Sequence, residues 1–457
     1  MSATLAIGKE VIDRTFDDIP DPVVSKCKTL ILDALACGVA GSRTPIGRIV
    51  SDLADHLGGK PQATILGAGF KTSCTTAAFV NASAVNALDY DDTAQFGHPG
   101  STTIPAVLAL GEYLNCDGRA VIEAIVIGYE VGLRVASAIN PTYERYRQVH
   151  GIGTPQIFGA TAAAAKLLGL DLESTLNAFG IAGASAPVAH AGKFGWHDKS
   201  IAFVKDNVAW PAEAGLRAAL LAAKGYEGSE SILDGNNGFW VMAGSDRCDF
   251  NSMMDFSQYQ ILGVSLKPYP CCRWIHTTLD VVGMLQTEHH LSAADIEKID
   301  VRTIQPLAEF FGETMPRTFI DVEFSVPCCV ALKLYGIAHG KWFETASWQQ
   351  PEILELAAGI SVIFDREYQR LYLKASRHSA RIPTLVEITL KSGRKLAGYA
   401  DDAWGSPTNP MSRDQRLAKV RDLTEDHMAA DDQQIFINRA EHLETEDDIR
   451  NLTALLG

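Results

Sequence analysis

The 457 residues are 47% hydrophobic and 21% charged, which is the composition of a globular protein and excludes the disordered and fibrous classes; the length suits two or three domains around a large core. Forty Lys+Arg against 55 Asp+Glu leave a formal charge of −15, which opposes binding to nucleic acid or to an anionic membrane, so any cations for an anionic ligand must be gathered locally. The nine cysteines include the pairs Cys271–Cys272 and Cys328–Cys329 but no C-x-x-C spacing, a pattern of reduced thiols rather than of a disulfide or metal framework.

Met1–Glu10 has no basic segment leading into a long apolar core, and runs such as Val121–Ile127 are too short to span a bilayer, so a soluble, cytoplasmic protein is expected. Helical periodicity dominates the first half. In Pro22–Ala40 the apolar positions Val24, Cys27, Leu30, Ile31, Ala34 and Leu35 form one face, with Asp21 as the expected N-cap before a proline at the first helical position. The same patterning predicts helices over 46–57, 75–88, 102–114, 120–138, 159–168, 172–180 and 212–223. Several are rich in alanine and glycine, as in Thr161–Ala165, which predicts closely packed axes. The pattern changes near Leu266. Beyond it a helix over 277–286 precedes Ile296–Thr303, which alternates like a half-buried strand, and 385–390 and 394–398 flank Lys391-Ser-Gly as a hairpin. The expected organisation is therefore mainly α: residues 1–265 together with 401–457 as a large helical domain, and 266–400 as a smaller α+β domain.

Two stretches carry the chemistry. Asn86-Ala-Leu-Asp89-Tyr-Asp91-Asp92-Thr93 ends a helix and leads into His98-Pro-Gly-Ser101. Three carboxylates at a helix C-terminus are unfavourable there, so the segment is a solvated turn capped by Asp92 and Ser101, a site where a carboxylate meets a histidine, or, less favoured because no second ligand cluster at metal-ligand spacing follows, a metal site. Lys267-Pro-Tyr269-Pro-Cys-Cys-Arg273-Trp-Ile-His276 is the densest cationic and aromatic segment, and Lys205 and His150 lie in loops before small-residue helices. Two lysines, an arginine and a few histidines could hold a di- or tricarboxylate. No Walker loop, dinucleotide fingerprint, nucleophile elbow or cysteine spacing for an iron–sulfur cluster is present.

Taken in order, these segments, with Gly128-Tyr-Glu-Val, Gly159–Gly169, Phe324-Ser325 and Gly405–Ser412, resemble the MmgE/PrpD family, whose members include 2-methylcitrate dehydratase, cis-aconitate decarboxylase and iminodisuccinate epimerase. The resemblance implies a large all-helical domain completed by the C-terminal segment, a smaller α+β domain, a homodimer, and catalysis with no metal or organic cofactor. It further implies that Asp89, Thr93, His98, His150, Lys205, Lys267 and His276 line the pocket. In the roles expected from it, His150 is the base, His98 the acid for a leaving hydroxyl, Asp89 orients a histidine, and Lys205 and Lys267 hold the charge that develops beside a carboxylate. Tyr269, Arg273 and Trp210 are the further substrate-binding candidates. Dehydration of a hydroxylated di- or tricarboxylate is the leading expectation, ahead of decarboxylation or epimerisation and of a non-catalytic binding module. Three departures put the substrate in doubt: Gly-Ile-Gly-Thr after His150, Trp210 where glycine is usual, and Cys328 where tyrosine is usual.

Overall fold

The computed structural model describes residues 2–94, 97–149, 153–188, 193, 200–374 and 381–457. The first half is a stack of helices, Asp21–Ser42, Pro45–Leu57, Cys74–Asn86, Pro99–Leu114, Gly118–Ala138, Gln156–Leu167, Leu172–Ser185 and Ala209–Ala222. Local chemistry sets their starts. Thr44, Ser73, Asp117 and Asp171 each accept a backbone N–H of the first turn with their side chain. The helix predicted from residue 22 begins at Asp21 instead, with Pro20 before it, so Asp21 contributes first-turn negative charge rather than a cap. Close approach of the axes depends on missing side chains: a Cβ on Gly159 would lie 2.6 Å from the Gly128 carbonyl oxygen, and one on Gly128 would lie 2.4 Å from the Thr103 methyl.

The apolar side chains gather into separate cores. One runs from Ile19 to Leu266 and resumes from Met411 to Leu456, joining the C-terminal helices Arg413–Thr424 and Ala430–Glu441 to the first half. Another gathers residues 269–396 with Ile46, Ala87 and Ile201. The second holds a four-stranded sheet in the order Ile360–Phe364, Ile296–Thr303, Thr384–Leu390, Lys395–Ala400. The hairpin strands pair antiparallel as expected, and the strand over 296–303 lies antiparallel to the first of them, with Val301 opposite Val386. The parallel partner 360–364 carries no clear alternation and escaped the sequence reading. Among the described residues no helix is long and apolar enough to cross a membrane.

The two parts are stitched at the segment that matters for chemistry. Thr93 and Ser265 exchange backbone hydrogen bonds at 3.0 and 2.8 Å, and the Leu266 amide donates to the Gly405 carbonyl at 3.0 Å. Gly405 has a positive φ, and a Cβ there would fall 2.1 Å from the Leu266 oxygen.

Candidate active site

The helix Cys74–Asn86 ends in a turn that Asp89 passes in the left-handed region, at φ +47°. The turn carries Asp89, Asp91 and Asp92 into the protein, where all three are buried. Each acid has its own partners, which resolves the repulsion expected from three adjacent carboxylates. Asp92 accepts the Gly100 amide at 3.0 Å and the Tyr129 hydroxyl, and burial lifts its carboxyl to about 7. Asp91 accepts the Ser101 hydroxyl at 2.8 Å and the Asn86 amide at 3.3 Å, and lies 3.0 Å from His98 Nδ1. Asp89 takes the Lys267 ammonium at 2.6 Å, and the same ammonium reaches the Asp89 carbonyl at 2.8 Å. The turn is held from outside by Lys419, which donates to the Tyr90 carbonyl and contacts Asp33, both at 2.7 Å.

His98 is the residue before the helix Pro99–Leu114. Its Nε2 lies 3.5 Å from Asp89 and 3.7 Å from Asp206. Burial disfavours the charged ring, but Asp91 and Asp206 outweigh it, and His98 is pushed up to about 9. Lys205 completes the cluster, its ammonium 2.9 Å from Glu323, 3.5 Å from Asp206 and 3.6 Å from Asp89. Burial opposes its charge too, and the three carboxylates, Asp89 foremost, hold it above the ordinary lysine range. For Asp89, burial is overcome by Lys205, Lys267 and His98, which keep it ionised well below the ordinary range. Lys205 Nζ, Asp206 Oδ2, Asn207 Oδ1 and both Glu323 oxygens are buried without an aligned hydrogen bond. Such atoms carry a desolvation cost that a polar ligand would relieve.

The predicted residues therefore separate into three groups. Asp89, His98, Lys205 and Lys267 come together, with Thr93 buried just beyond them in the backbone bridge to Ser265. His150 lies outside the described residues. Tyr269, Arg273 and His276 form a bracket of their own. The Tyr269 hydroxyl donates to Asp280 at 2.9 Å, Arg273 donates to the carbonyls of Trp404 and Ala403 at 2.7 and 3.2 Å, and His276 contacts Arg273 through Nδ1 and the Cys271 carbonyl through Nε2, both at 3.2 Å. Burial, with Arg273 and Lys267 adding to it, keeps His276 far below its ordinary value, as a neutral ring. None of these hydrogen bonds reaches the Asp89 cluster. They fasten the Lys267–His276 segment to the chain returning at 403–404.

Trp210 corrects the expectation placed on it. Its side chain is 52% exposed and meets Phe79 edge-on at 4.8 Å, lining an outer groove with Ile46, Ile49 and Phe203; it stands neither in the Asp89 cluster nor in a packed core. Asp206 and Glu323 are site residues that the sequence did not mark. The sequence places Lys205 in a loop and gives its neighbour Asp206, and Glu323, no distinguishing signal.

Asp89, Asp91 and His98 present donor atoms close enough together to suggest a metal, yet the arrangement does not fit one. The Lys267 ammonium already stands 2.6 Å from Asp89, with Lys205 beside it, so a dication would enter against two fixed positive charges. What the cluster offers is a pair of buried ammonium groups and proton-bearing side chains beside a carboxylate-rich wall.

Two family models match the chain. Residues 6–250 match the MmgE/PrpD N-terminal domain and residues 269–445 the MmgE/PrpD C-terminal domain. The chain belongs to the MmgE/PrpD family. Similar curated proteins include the cis-aconitate decarboxylases of Mus musculus and Homo sapiens, each 26% identical, with 96% of this chain aligned to 90% and 91% of theirs. A cis-aconitate decarboxylase of Aspergillus terreus is 28% identical over 89% of this chain and 86% of its own. The family and these relatives make the protein a member of a lyase-type enzyme family.

Proposed function

We propose that the protein is a hydro-lyase acting on a small hydroxylated di- or tricarboxylate. The observation that carries this reading is the pair of buried ammonium groups, Lys205 and Lys267, converging on Asp89 beside a charged His98. Removing a proton next to a carboxylate builds enediolate-like charge, and fixed cations in a dry site stabilise it without reorganisation. Lys205 and Lys267 fill that role, with Asp89 setting the position of both. His98, held as an imidazolium by Asp91, adds a third positive charge, and His150 is assigned the base from the family resemblance. No step calls for a metal or an organic cofactor.

A second reading, decarboxylation, is favoured by the names of the similar proteins, and the same cations would stabilise the carbanion left by departing CO₂. Product analysis by NMR against citrate, 2-methylcitrate, cis-aconitate, malate and iminodisuccinate analogues separates the two. An olefinic carboxylate formed with loss of water supports the first reading. Release of CO₂ replaces it with the second, and inertness toward the whole panel overturns both.

A further inference from the structure

We propose that Glu323 is a catalytic acid of this site, giving its proton to the hydroxyl that leaves the substrate. The inference rests on the hydro-lyase reading and adds to it a residue and a step.

Placement is the first ground. Glu323 ends the helix Phe319–Glu323, which starts in a capping box between Thr318 and Asp321. The same Asp321 accepts the Ile201 amide at 3.0 Å, and the Glu323 carbonyl accepts the Cys272 amide at 2.9 Å. The helix is thus tied both to the loop of Lys205 and to the segment of Lys267. Its last side chain is delivered, 4% exposed, to within 2.9 Å of the Lys205 ammonium. Both carboxyl oxygens lack an aligned hydrogen bond.

Charge is the second ground. Among the described residues, four carboxylates (Asp89, Asp91, Asp206 and Glu323) face three cations (His98, Lys205 and Lys267). Asp89 is served by all three cations and Asp91 by His98, Ser101 and Asn86, whereas Glu323 forms an ion pair with Lys205 alone, which it shares with Asp89 and Asp206. Four negative charges cannot all be held in so small a buried volume, and the least compensated acid keeps its proton. The groups facing Glu323 are Lys205, Asp89 and Lys267, with the Cys329 thiol on the next helix. Burial first, and Asp89 next, push its carboxyl up to about 8 against the pull of the two lysines. The protons of His98 are not equally available. Its Nδ1 is 3.0 Å from Asp91, and its Nε2 stands between Asp89 and Asp206.

The step balances. The base takes the proton from the carbon next to the carboxylate, the C–O bond breaks with its electron pair going to oxygen, and the Glu323 proton joins that oxygen to release water. Glu323 is left as a carboxylate against the Lys205 ammonium. One proton is taken and one given, nothing is oxidised or reduced, and exchange with solvent restores both groups.

The test compares leaving groups. Glu323→Gln and Glu323→Asp are assayed on the hydroxy acid that the wild type dehydrates and on its analogue with fluorine in place of the hydroxyl, which for malate is 2-fluorosuccinate. Fluoride departs with little acid assistance. Glu323→Gln is expected to lose about 10²–10³ in kcat on the hydroxy acid and less than about tenfold on the fluoro compound, with Glu323→Asp recovering part of the loss. The wild-type kcat should fall above pH 8, a limb that Glu323→Gln lacks. Equal losses on both compounds, or none, would overturn the role of Glu323 while leaving the dehydration reading intact. A wild type that releases CO₂ rather than water would remove that reading, and the acid role with it.

Discussion

At the scale of single residues, the ion pair of Lys267 with Asp89 is both support and chemistry, and substitution separates the two. Lys267 is fully buried, and removing its charge takes from Asp89 its nearest cation and its hydrogen bond, leaving only Lys205 at 3.6 Å and His98 at 3.5 Å. Lys267→Met should therefore cost about 3–5 kcal/mol of stability, as for any broken buried pair, besides lowering kcat/KM by about 10²–10³. The double variant Asp89→Asn/Lys267→Met removes the under-compensated charge and should regain most of the stability with no regain of activity; denaturant titration and steady-state kinetics on both proteins check this. Recovery of activity along with stability would show the pair to be scaffolding only. Much of this cluster was legible in the sequence, because two lysines and an acid–histidine run are out of place in an acidic protein. Glu323 and Asp206 were not, since nothing in the local sequence distinguishes a solvated acid from one that tertiary packing buries. Arg273, Tyr269 and His276 illustrate a related ambiguity: a cationic, aromatic segment reads the same whether its polar groups face a substrate or, as here, Asp280 and the carbonyls of residues 271, 403 and 404.

Among the elements, the helices were the most readable, because an apolar face repeats at the helical period however the chain is packed. What periodicity could not give was how closely the axes meet. The contact between Gly118–Ala138 and Gln156–Leu167 is backbone against backbone at Gly128, Gly132 and Gly159. Gly159→Ala would place its Cβ 2.6 Å from the Gly128 oxygen, which no rotamer change can relieve. An alanine in a helix interior is otherwise favourable by up to about 1 kcal/mol. Here overpacking should win, with net destabilisation of about 1–3 kcal/mol, while exposed Gly312, which has open space and no positive φ, serves as the control for handling. Thermal unfolding of Gly159→Ala at or above the wild-type midpoint would show that the helices separate freely. The C-terminal helix Arg413–Thr424 was expected to pack back on the first part. Its consequence for the site is Lys419, which spans Asp33 and the Tyr90 carbonyl and so fixes the turn bearing Asp89 from the far end of the chain.

For the molecule as a whole, the buried titratable groups set a pH dependence whose sign is determined by which of them change protonation in a given window. His98 at about 9 and Glu323 at about 8 both bind protons more tightly in the fold than at their ordinary values of 6.5 and 4.5. A raised value contributes stability that is complete below the unfolded value and disappears as pH climbs through the folded one. Groups of opposite sign act elsewhere: His276, His339 and His427 are lowered and oppose only below about 6.5, while Lys26, lowered by burial to about 8, opposes above that value. Between pH 6.5 and 8 His98 and Glu323 act with little opposition, joined by Asp92, which burial lifts from 3.8 to about 7. The folded state then holds up to three protons that the unfolded chain has released, and unfolding free energy should fall by up to about 1.4 kcal/mol per pH unit for each. The formal charge of −15 adds self-repulsion in the same direction as pH rises. Urea titrations at pH 6.5 and 8 should accordingly show a loss of about 2–4 kcal/mol, and Glu323→Gln, which cannot release a proton, should lose roughly half as much over the same interval. A fall in Glu323→Gln as large as that of the wild type would mean that Glu323 is ionised in the fold and that the proton assigned to it is not there, and stability that is flat or rising would mean that His98 holds no extra proton either.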